Sequence, residues 1–312
     1  MDTHKIVILD GYALNPGDLD YSPLRKFGEL IVHDRCTREE IPLLARDADI
    51  ILGNKALLGE AEFAQLPRLK YVGIQATGYN VVDMEAARKY GITVTNVPAY
   101  STASVAQQTF AHLLNLTFHL AEHSAEVRDG VWSRNADFTY WSHPLEELAG
   151  KTLGLVGYGN IAQKVAQIAR AMDMEVIFVR SRSTQSEVDD LFRRSDVVSL
   201  HCPATPATIK MVNAERLALM KPTAFLINTA RGVLVDEIAL ADALNSGKIA
   251  GAGLDVLAEE PPKVDNPLLS ARNCFCTAHI AWATLAARKR CLETVIRNVE
   301  MFLAGTPINV VS

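Results

Sequence analysis

The stretch KTLGLVGYGNIA, residues 151–162, combines a short apolar run with a glycine-rich turn. Residues 153–156 have the character of a buried parallel strand, and Gly157, Gly159 and Ala162 fill a G-x-G-x-x-G/A frame. Beyond the frame, the apolar residues recur at helical spacing. A strand, a tight turn and a helix N-terminus in this order predict a dinucleotide-binding site, with a plain structural turn as the alternative.

Each part of this loop has a property that favours the binding of a dinucleotide. Gly157 permits the tight turn, and Gly159 lets a pyrophosphate approach the backbone. The free N–H groups and the positive dipole end of the following helix favour the phosphate charge. The residues expected to contact the cofactor here are Gly157, Tyr158, Gly159, Asn160 and Ile161.

The whole-chain composition narrows the class of protein. At 312 residues the chain exceeds one average domain, and 49% hydrophobic and 21% charged residues are typical of a globular protein. A net charge of −5 without any run of five basic residues argues against nucleic-acid binding. No apolar stretch approaches a membrane span, and the first ten residues resemble a β-strand rather than a signal peptide. Five cysteines, an odd number, predict reduced thiols in the cytoplasm.

Two of the cysteines lie one residue apart. Cys274 and Cys276 fall in an apolar, strand-like run, where their side chains would point the same way. No second pair of Cys or His residues has zinc spacing. We therefore interpret both as buried small side chains and expect no metal site.

The N-terminal hundred residues alternate strand and helix patterns, which predicts a parallel sheet covered by helices on both faces. This region has no G-x-G frame of its own, so we assign it to the substrate rather than to the dinucleotide. The predicted strands span residues 6–9, 30–33, 49–52, 69–74 and 92–95, and the predicted helices lie near 18–27, 39–46 and 84–90.

A second α/β pattern surrounds the glycine-rich turn. The chain is expected to enter it through a long helix at about 103–120 and to return by a final helix at about 284–303. The fold prediction is two doubly wound parallel-sheet α/β domains, with 1–100 plus 285–312 for the substrate and 101–284 for the dinucleotide. Further strands are predicted at 175–179, 197–200, 224–228, 249–255 and 273–277, and helices at 211–219 and 236–245.

The loop Gln75-Ala-Thr-Gly-Tyr-Asn80 follows a strand of the first pattern. Ligands gather at the carboxyl ends of parallel strands, so exposed N–H groups of Ala76, Thr77 and Gly78 are candidates for holding a carboxylate. An ordinary glycine turn is an equal alternative.

Residues 129–143 are rich in aromatic side chains, among them Trp132, Phe138 and Trp141. The segment has no periodic pattern from which to predict a helix or a strand. Two interpretations stay open, an exposed arm that packs against a second subunit and a plain surface loop.

The end of the strand predicted at 175–179 bears on the identity of the dinucleotide. In this fold an acidic residue there binds the ribose 2′-hydroxyl of NAD. This chain instead has Arg180 followed by Ser181 and Arg182. Two guanidinium groups pair with the 2′-phosphate of NADP, so the pattern favours NADP(H). NAD(H) is the alternative, in which case the two arginines are simply solvated.

Three polar residues, Arg231, Glu260 and His279, follow predicted strands of the second domain. If the sheet is parallel, all three lie at its ligand-binding edge. Arginine holds a carboxylate by two hydrogen bonds, histidine exchanges a proton near neutral pH, and a neighbouring carboxylate favours imidazolium. Together they predict reduction of a 2-keto acid or the reverse oxidation, although each alone also fits a surface or structural role.

Several sequence blocks occur together: Ala76-Thr-Gly-Tyr-Asn80, Asn96-Val-Pro-Ala-Tyr-Ser-Thr102, Gly157-Tyr-Gly-Asn-Ile161, Asn228-Thr-Ala-Arg-Gly232, Gly253-Leu-Asp-Val256 with Glu260-Pro261, and His279-Ile-Ala-Trp282. In this order they resemble the D-isomer-specific 2-hydroxyacid dehydrogenase family, of the glycerate dehydrogenase/hydroxypyruvate reductase type. The resemblance covers nearly the whole chain and is more specific than any single block.

The resemblance implies hydride transfer between NAD(P) and C2 of a small D-2-hydroxy acid/2-keto acid pair, such as glycerate/hydroxypyruvate or glycolate/glyoxylate. It also implies a flavodoxin-like substrate domain completed by the C-terminal helix, a Rossmann cofactor domain, a cleft between them and a homodimer. By position, Arg231 resembles the substrate-binding arginine, His279 the acid/base, Glu260 its carboxylate partner and 76–78 the carboxylate-binding loop. Positions that match the cofactor lining are Thr102, His201, Cys202, Pro203, Thr229, Ala230 and Asp255.

The chain departs from the family pattern at three positions. Ala162 replaces the third glycine, Arg180 replaces the common acid, and Ala278 replaces the proline before the histidine. Two other functions also fit the scaffold, a nucleotide-sensing, corepressor-like binding protein and an enzyme that oxidises phosphite. The lack of a basic or disordered tail argues against the first, and a turnover assay with hydroxypyruvate and glyoxylate distinguishes it from the main hypothesis.

Overall fold

A computed structural model describes residues 4–312, in which the chain forms two compact units. One unit contains the chain up to Ser101 together with Ala283–Ser312, and the other contains Thr102–Trp282. Each unit is built around one parallel sheet, so the predicted α/β fold class is confirmed. No helix within residues 4–312 has both the length and the apolar character needed to cross a membrane.

Five short strands form the sheet of the first unit: β1 (His4–Ile8), β2 (Gly28–Val32), β3 (Ile50–Gly53), β4 (Tyr71–Ile74) and β5 (Thr93–Thr95). Their order is β2-β1-β3-β4-β5, and every neighbouring pair is parallel. This is the 2-1-3-4-5 order of flavodoxin-like sheets. All residues of β3 and β4 are buried, which explains their continuous apolar sequences.

Three short α-helices alternate with these strands: α1 (Ile41–Leu44), α2 (Glu60–Phe63) and α3 (Met84–Lys89). The helix predicted near 18–27 is instead a 3-10 turn at Ser22–Phe27. The side chain of Asn15 accepts the N–H groups of Gly17 and Leu19, and such local bonds compete with helix formation. The helix predicted at 39–46 is shorter in the structure, and α2 lies where none was predicted.

Six parallel strands form the sheet of the second unit: β6 (Thr152–Val156), β7 (Glu175–Val179), β8 (Val197–Leu200), β9 (Phe225–Asn228), β10 (Gly251–Leu254) and β11 (Cys274–Cys276). Their order is β11-β10-β9-β8-β6-β7. The strand order therefore reverses between β6 and β8, at the glycine-rich turn. A switch point of this kind is where open α/β sheets bind ligands.

Five helices cover the two faces of this sheet: α4 (Thr102–Phe118), α6 (Asn160–Ala171), α7 (Gln185–Arg194), α8 (Ala214–Leu219) and α9 (Glu237–Asn245). A further helix, α5 (Leu120–Arg128), directly follows α4 and has no buried residue. Apolar side chains of α4 and α6 form one core, and those of α7, α8 and α9 form another. Ala162, the third position of the glycine frame, is fully buried in the first of these cores. Its small side chain therefore allows α6 to pack closely against the sheet.

The predicted helix at 103–120 is interrupted in the structure. His119 has a φ of +47°, a left-handed conformation that ends α4, and the chain continues at once into α5. α7 was also not predicted, although Thr184 and Glu187 form a capping box at its start.

The last helix, α10 (Leu285–Leu303), belongs to the first unit. The hydroxyl of Thr284 caps it by accepting the N–H of Ala287 at 3.3 Å. Near its start, Arg288 donates to both carboxylate oxygens of Asp18 at 2.6 Å. Near its end, the ring of Phe302 lies 4.6 Å from that of Tyr71, measured between centroids. These contacts fix both ends of α10 within the first unit.

Candidate active site

All six strands of the second sheet are parallel, so the loops that follow them emerge at one edge. The predicted site residues at this edge are Gly157, Tyr158, Gly159, Asn160 and Ile161 after β6, Arg180, Ser181 and Arg182 after β7, His201, Cys202 and Pro203 after β8, Thr229, Ala230 and Arg231 after β9, Asp255 and Glu260 after β10, and His279 after β11. Ala76, Thr77 and Gly78 follow β4 in the other unit.

The glycine-rich turn has the shape that a phosphate group requires. Gly157 has a φ of +91°, and a Cβ atom there would lie 2.7 Å from the carbonyl oxygen of His201. A Cβ atom at Gly159 would meet no atom within 4 Å, so its backbone borders open space. Gly159 also caps α6 and brings no side chain to the N–H groups of the first turn. Open space beside a helix N-terminus fits the pyrophosphate of a dinucleotide.

An aromatic pair extends from this turn toward the end of β7. The rings of Tyr158 and Phe178 stack with their centroids 3.8 Å apart. The guanidinium of Arg180 lies 5.5 Å from the centroid of Tyr158 and 5.2 Å from that of Phe178. Arg180, Ser181 and Arg182 are all exposed, so a charged ligand at this edge can reach them.

The loop after β8 carries two uncharged side chains, those of His201 and Cys202, beside the glycine-rich turn. The Nε2 atom of His201 lies 2.9 Å from the Ser199 hydroxyl oxygen. Burial lowers the pKa of His201 to about 4, so its imidazole is uncharged at neutral pH. Burial also raises the pKa of the Cys202 thiol to about 11, which keeps the thiol protonated. Pro203, the next residue, is exposed.

Two further predicted cofactor residues lie on or against α4. Thr102 is the first residue of that helix. The hydroxyl of Thr229, just after β9, lies 3.2 Å from the hydroxyl of Thr109 on α4. This contact ties the loop after β9 to the helix on that face of the sheet.

His279 and Glu260 are in direct contact. The Nδ1 atom of His279 lies 2.7 Å from Oε2 of Glu260, while Oε1 of the same carboxylate accepts the N–H of Leu257 at 3.1 Å. The two side chains are 29% and 35% exposed, so a small ligand can reach them. A carboxylate at Nδ1 fixes the orientation of the ring and leaves Nε2 for proton exchange.

Asp255 shapes the turn that holds His279. His279 has a φ of +53°, and its N–H donates to the Asp255 carbonyl at 2.8 Å. The Asp255 carboxylate, in a residue only 1% exposed, accepts three hydrogen bonds. The donors are the Thr277 hydroxyl at 2.5 Å, the Ile280 N–H at 3.0 Å and the Ala281 N–H at 2.8 Å. Asp255 was predicted only as part of the cofactor lining, and this bracing role could not be predicted from the sequence.

The network continues from Thr277 to the middle of α4. Nε2 of His112 lies 3.1 Å from the Thr277 hydroxyl oxygen, and the amide nitrogen of Gln108 lies 3.3 Å from both. Burial lowers the pKa of His112 and keeps its imidazole neutral. Gln108 and His112 were not predicted as site residues, because His112 lies 165 positions before Thr277. No signal in the pattern of α4 distinguishes them from other residues of the helix.

Arg231 is exposed at the same edge of the sheet, and the loop that carries it is held by a hydrogen bond and by backbone packing. The side-chain amide of Asn228 donates to the Arg231 carbonyl at 2.9 Å. A Cβ atom on Gly232 would lie 1.9 Å from the carbonyl carbon of Leu257, so the two backbones are in direct contact. The loop that carries Arg231 therefore packs on the loop that carries Glu260.

In the first unit, the loop after β4 is held by hydrogen bonds to the segment after β5. The Thr77 hydroxyl donates to the Val97 carbonyl at 2.8 Å, and the Asn96 side chain donates to the Thr77 carbonyl at 2.7 Å. The Val97 N–H donates to the Ala76 carbonyl at 3.0 Å. These bonds order residues 76–78. Across residues 4–312, no group of three or more His, Cys, Asp or Glu side chains is arranged to hold a metal ion.

A protein-family model described as "D-isomer specific 2-hydroxyacid dehydrogenase, NAD binding domain" matches residues 110–281, more than half of the chain. A hydroxypyruvate reductase from Blautia hydrogenotrophica is 46% identical, and the match covers 99% of each chain. A glycerate dehydrogenase from Methylorubrum extorquens is 38% identical, again over 99% of each chain.

Solved structures show the same likeness. An acyclic imino acid reductase, solved in complex with NADPH and D-Arg, superimposes with a TM-score of 0.86 at 32% identity. The match covers 99% of this chain and 100% of that one. The similarity therefore extends over both units, beyond the segment that the family model covers.

Proposed function

Because this chain belongs to the D-isomer-specific 2-hydroxyacid dehydrogenase family and is an NAD(P)-dependent oxidoreductase, we propose that it acts on glycerate/hydroxypyruvate or on glycolate/glyoxylate. The names of the two relatives described above support this substrate class. The single observation that supports it most strongly is the 2.7 Å contact between His279 and Glu260, at the edge that carries the glycine-rich turn.

The nicotinamide cofactor, when bound, supplies hydride to C2 of the keto acid. In this proposal the imidazolium of His279 donates its Nε2 proton to the oxygen on C2. Glu260 holds Nδ1, which stabilises the charged ring before the proton leaves and keeps Nε2 directed outward. In the reverse direction His279 accepts the proton of the hydroxyl group.

Arg231 and the 76–78 loop are proposed to bind the substrate. The exposed guanidinium of Arg231 suits a two-pronged hydrogen bond to a carboxylate or a polarising bond to the carbonyl. Backbone N–H groups of Ala76, Thr77 and Gly78 are proposed to hold the carboxylate. Residues 1–100 plus 285–312 then form the substrate domain, and residues 101–284 form the cofactor domain.

We further propose NADP(H) as the preferred cofactor, with NAD(H) as the alternative. The exposed arginines at the end of β7 offer positive charge where the adenosine ribose lies in dinucleotide-binding folds. Ser181, between them, adds a hydroxyl donor. The remaining cofactor contacts are assigned to the predicted residues at the glycine turn and to Thr102, His201, Cys202, Pro203, Thr229, Ala230 and Asp255.

Exposed aromatic side chains in residues 129–143 support the proposal of a homodimer. Phe138 is 88% exposed, Trp141 63% and Trp132 50%, which is unusual for side chains of this size. Packing against a second copy of the chain would bury them. We propose a cytoplasmic location on a separate ground, because an odd number of cysteines favours reduced thiols. A solution mass equal to one chain, measured by light scattering at micromolar concentration, would contradict the dimer.

The experiment that tests the proposed function is a matrix of initial rates. Hydroxypyruvate, glyoxylate, pyruvate and a branched 2-keto acid are each offered with NADPH and with NADH. We expect the highest kcat/KM with hydroxypyruvate or glyoxylate and NADPH. Binding of NADPH without turnover of any keto acid would instead indicate a nucleotide-sensing protein, and reduction of NADP by phosphite would indicate the phosphite-oxidising alternative.

A further inference from the structure

Cys274 and Cys276 form a close thiol pair that the proposed reaction does not use. Both belong to β11 and lie on the same face of that strand, with their Sγ atoms 4.0 Å apart. Both are partly buried, so small solutes have access to them. β11 is the edge strand of its sheet and pairs only with β10. An edge strand bound on one side deforms more easily than a central strand.

The two thiols share a hydrogen bond, and this bond makes them chemically unequal. The hydrogen bond lowers the pKa of Cys276, and burial opposes this shift. For Cys274, the hydrogen bond and burial both raise the pKa. Cys276 is therefore the better thiolate, while in the neutral pair either sulfur can donate to the other. A thiolate beside a second thiol is the usual arrangement of a peroxide-sensitive cysteine with its resolving partner.

We propose that Cys274 and Cys276 form an oxidation site at which a hydroperoxide converts the two thiols into an intrachain disulfide. The Cys276 thiolate sulfur attacks one peroxide oxygen, the O–O bond breaks, and hydroxide (or alkoxide) leaves, giving a sulfenic acid. The Cys274 sulfur then attacks the sulfenic sulfur, the S–O bond breaks, and hydroxide leaves and takes up the Cys274 proton. Two thiols are oxidised by two electrons in total, and one peroxide is reduced.

The geometry of β11 permits this bond but does not favour it. Two residues along a strand advance by about 6.6 Å. Disulfides span Cα separations of roughly 4.4–6.8 Å, so the pair lies near the upper end of that range. The sulfur atoms must move from 4.0 Å to bonding distance, which bends the strand locally. A disulfide under such strain is readily reduced, so the modification is reversible.

The position of the pair connects it to the candidate active site. Thr277, which donates to Asp255, directly follows Cys276, and His279 lies two residues further on. A bend in β11 therefore changes the turn that holds His279. Displacement of a reacting group by about 1 Å costs up to about 100-fold in rate. We expect the disulfide to lower turnover by about tenfold or more.

Two other partly buried cysteines, Cys36 and Cys202, differ from this pair because neither contacts a second thiol. Cys36 is also partly buried, but burial and nearby carboxylates raise its pKa to about 11, and no thiol contacts it. Cys202 contacts the sulfur of Met211 rather than a thiol. Neither has a resolving partner within reach. Cys36→Ser is therefore the matched control, since it removes one partly buried thiol far from β11 in the sequence.

The test treats the full-length protein with hydrogen peroxide, alkylates the remaining thiols after denaturation, and weighs the peptide that contains both residues. The expected product is that peptide, unalkylated and lighter by two hydrogen atoms, in the wild type and in Cys36→Ser. Cys276→Ser should not form it, and Cys274→Ser should accumulate a sulfenic acid that dimedone traps. Turnover should fall as the disulfide forms and recover with dithiothreitol.

Two results of this experiment would contradict the proposal. Wild-type protein whose two thiols remain alkylatable after peroxide treatment overturns the oxidation site. A disulfide that forms without any change in turnover overturns its connection to His279. The peptide mass does not depend on which keto acid the enzyme reduces, so failure here is distinguishable from failure of the proposed function.

Discussion

The hydroxyl oxygen of Thr277 lies 2.5 Å from Oδ1 of Asp255, a carboxylate that is almost completely buried. Asp255 in turn accepts the N–H groups of Ile280 and Ala281, the two residues after His279. A buried carboxylate needs such donors, because an unsatisfied charge in the interior is costly. Thr277 thus stabilises the turn that positions His279 without having to contact the substrate itself.

Replacing Thr277 by valine should lower both stability and turnover. The change removes one donor from buried Asp255 at nearly constant volume, at a cost of about 1–3 kcal/mol. That corresponds to about 2–4 °C in Tm for each kcal/mol. We expect kcat to fall about tenfold in Thr277→Val, since the turn at His279 loosens, and to stay near wild type in Thr277→Ser. Equal kcat values for the two variants would contradict a positioning role for the hydroxyl.

The two glycines of the turn should respond differently to alanine. Gly157→Ala forces a left-handed conformation and a clash with the backbone at His201, so it should lower Tm. Gly159→Ala meets open space and should leave Tm unchanged. Because the added methyl group occupies the space assigned to the pyrophosphate, Gly159→Ala should raise the Kd for NADPH about tenfold or more. Thermal melts and fluorescence titrations measure both effects, and unchanged NADPH affinity in Gly159→Ala would be inconsistent with the assignment.

The arginines after β7 should discriminate between the cofactors. Arg180→Ala and Arg182→Ala each remove a charged donor from the proposed 2′-phosphate site, which should raise the KM for NADPH about tenfold. The KM for NADH should change little, because NADH has no phosphate there. Arg193→Ala, an exposed arginine on α7, is the control. Equal or better wild-type rates with NADH would refute the NADP preference.

The neutral, partly buried imidazole of His201 predicts an acid-dependent loss of stability. Its pKa is about 4 in the folded protein against an ordinary value of 6.5, so between these values the unfolded chain binds the proton more readily. The contribution of His201 to stability is therefore complete above pH 6.5 and is lost as the pH falls toward 4. Tm measured across this window should fall less steeply in His201→Gln than in the wild type. Parallel curves for the two proteins would show that His201 does not titrate as described.

The sequence predicted the central parts of both sheets because their strands are short, continuous apolar runs. The strands predicted at 175–179 and 197–200 have the same bounds in the structure, and the glycine frame lies at the turn between β6 and α6. Parallel strands that are buried on both faces, as β8 is, leave little freedom in such assignments. β7 lies at the edge of the sheet and is only partly buried, yet its apolar run was also sufficient. The alternation of helices and strands was sufficient to identify two α/β domains.

What the sequence did not reveal depends on tertiary contacts. The break at His119 requires a left-handed conformation, which the periodic apolar pattern of α4 and α5 does not indicate. The Gln108–His112–Thr277 network joins residues that are distant in the chain and individually unremarkable in sequence. Contacts of this kind follow from how α4 packs against the sheet.

The proposed exchange of a proton between His279 and the oxygen on C2 of the keto acid is tested by kcat of His279→Ala. Loss of a general acid typically costs about 100-fold to 10,000-fold in rate. We therefore predict a fall of that size in hydroxypyruvate reduction, with the Kd for NADPH unchanged and with His33→Ala, in the other unit, near wild type. Near-normal turnover in His279→Ala would show that His279 does not exchange this proton.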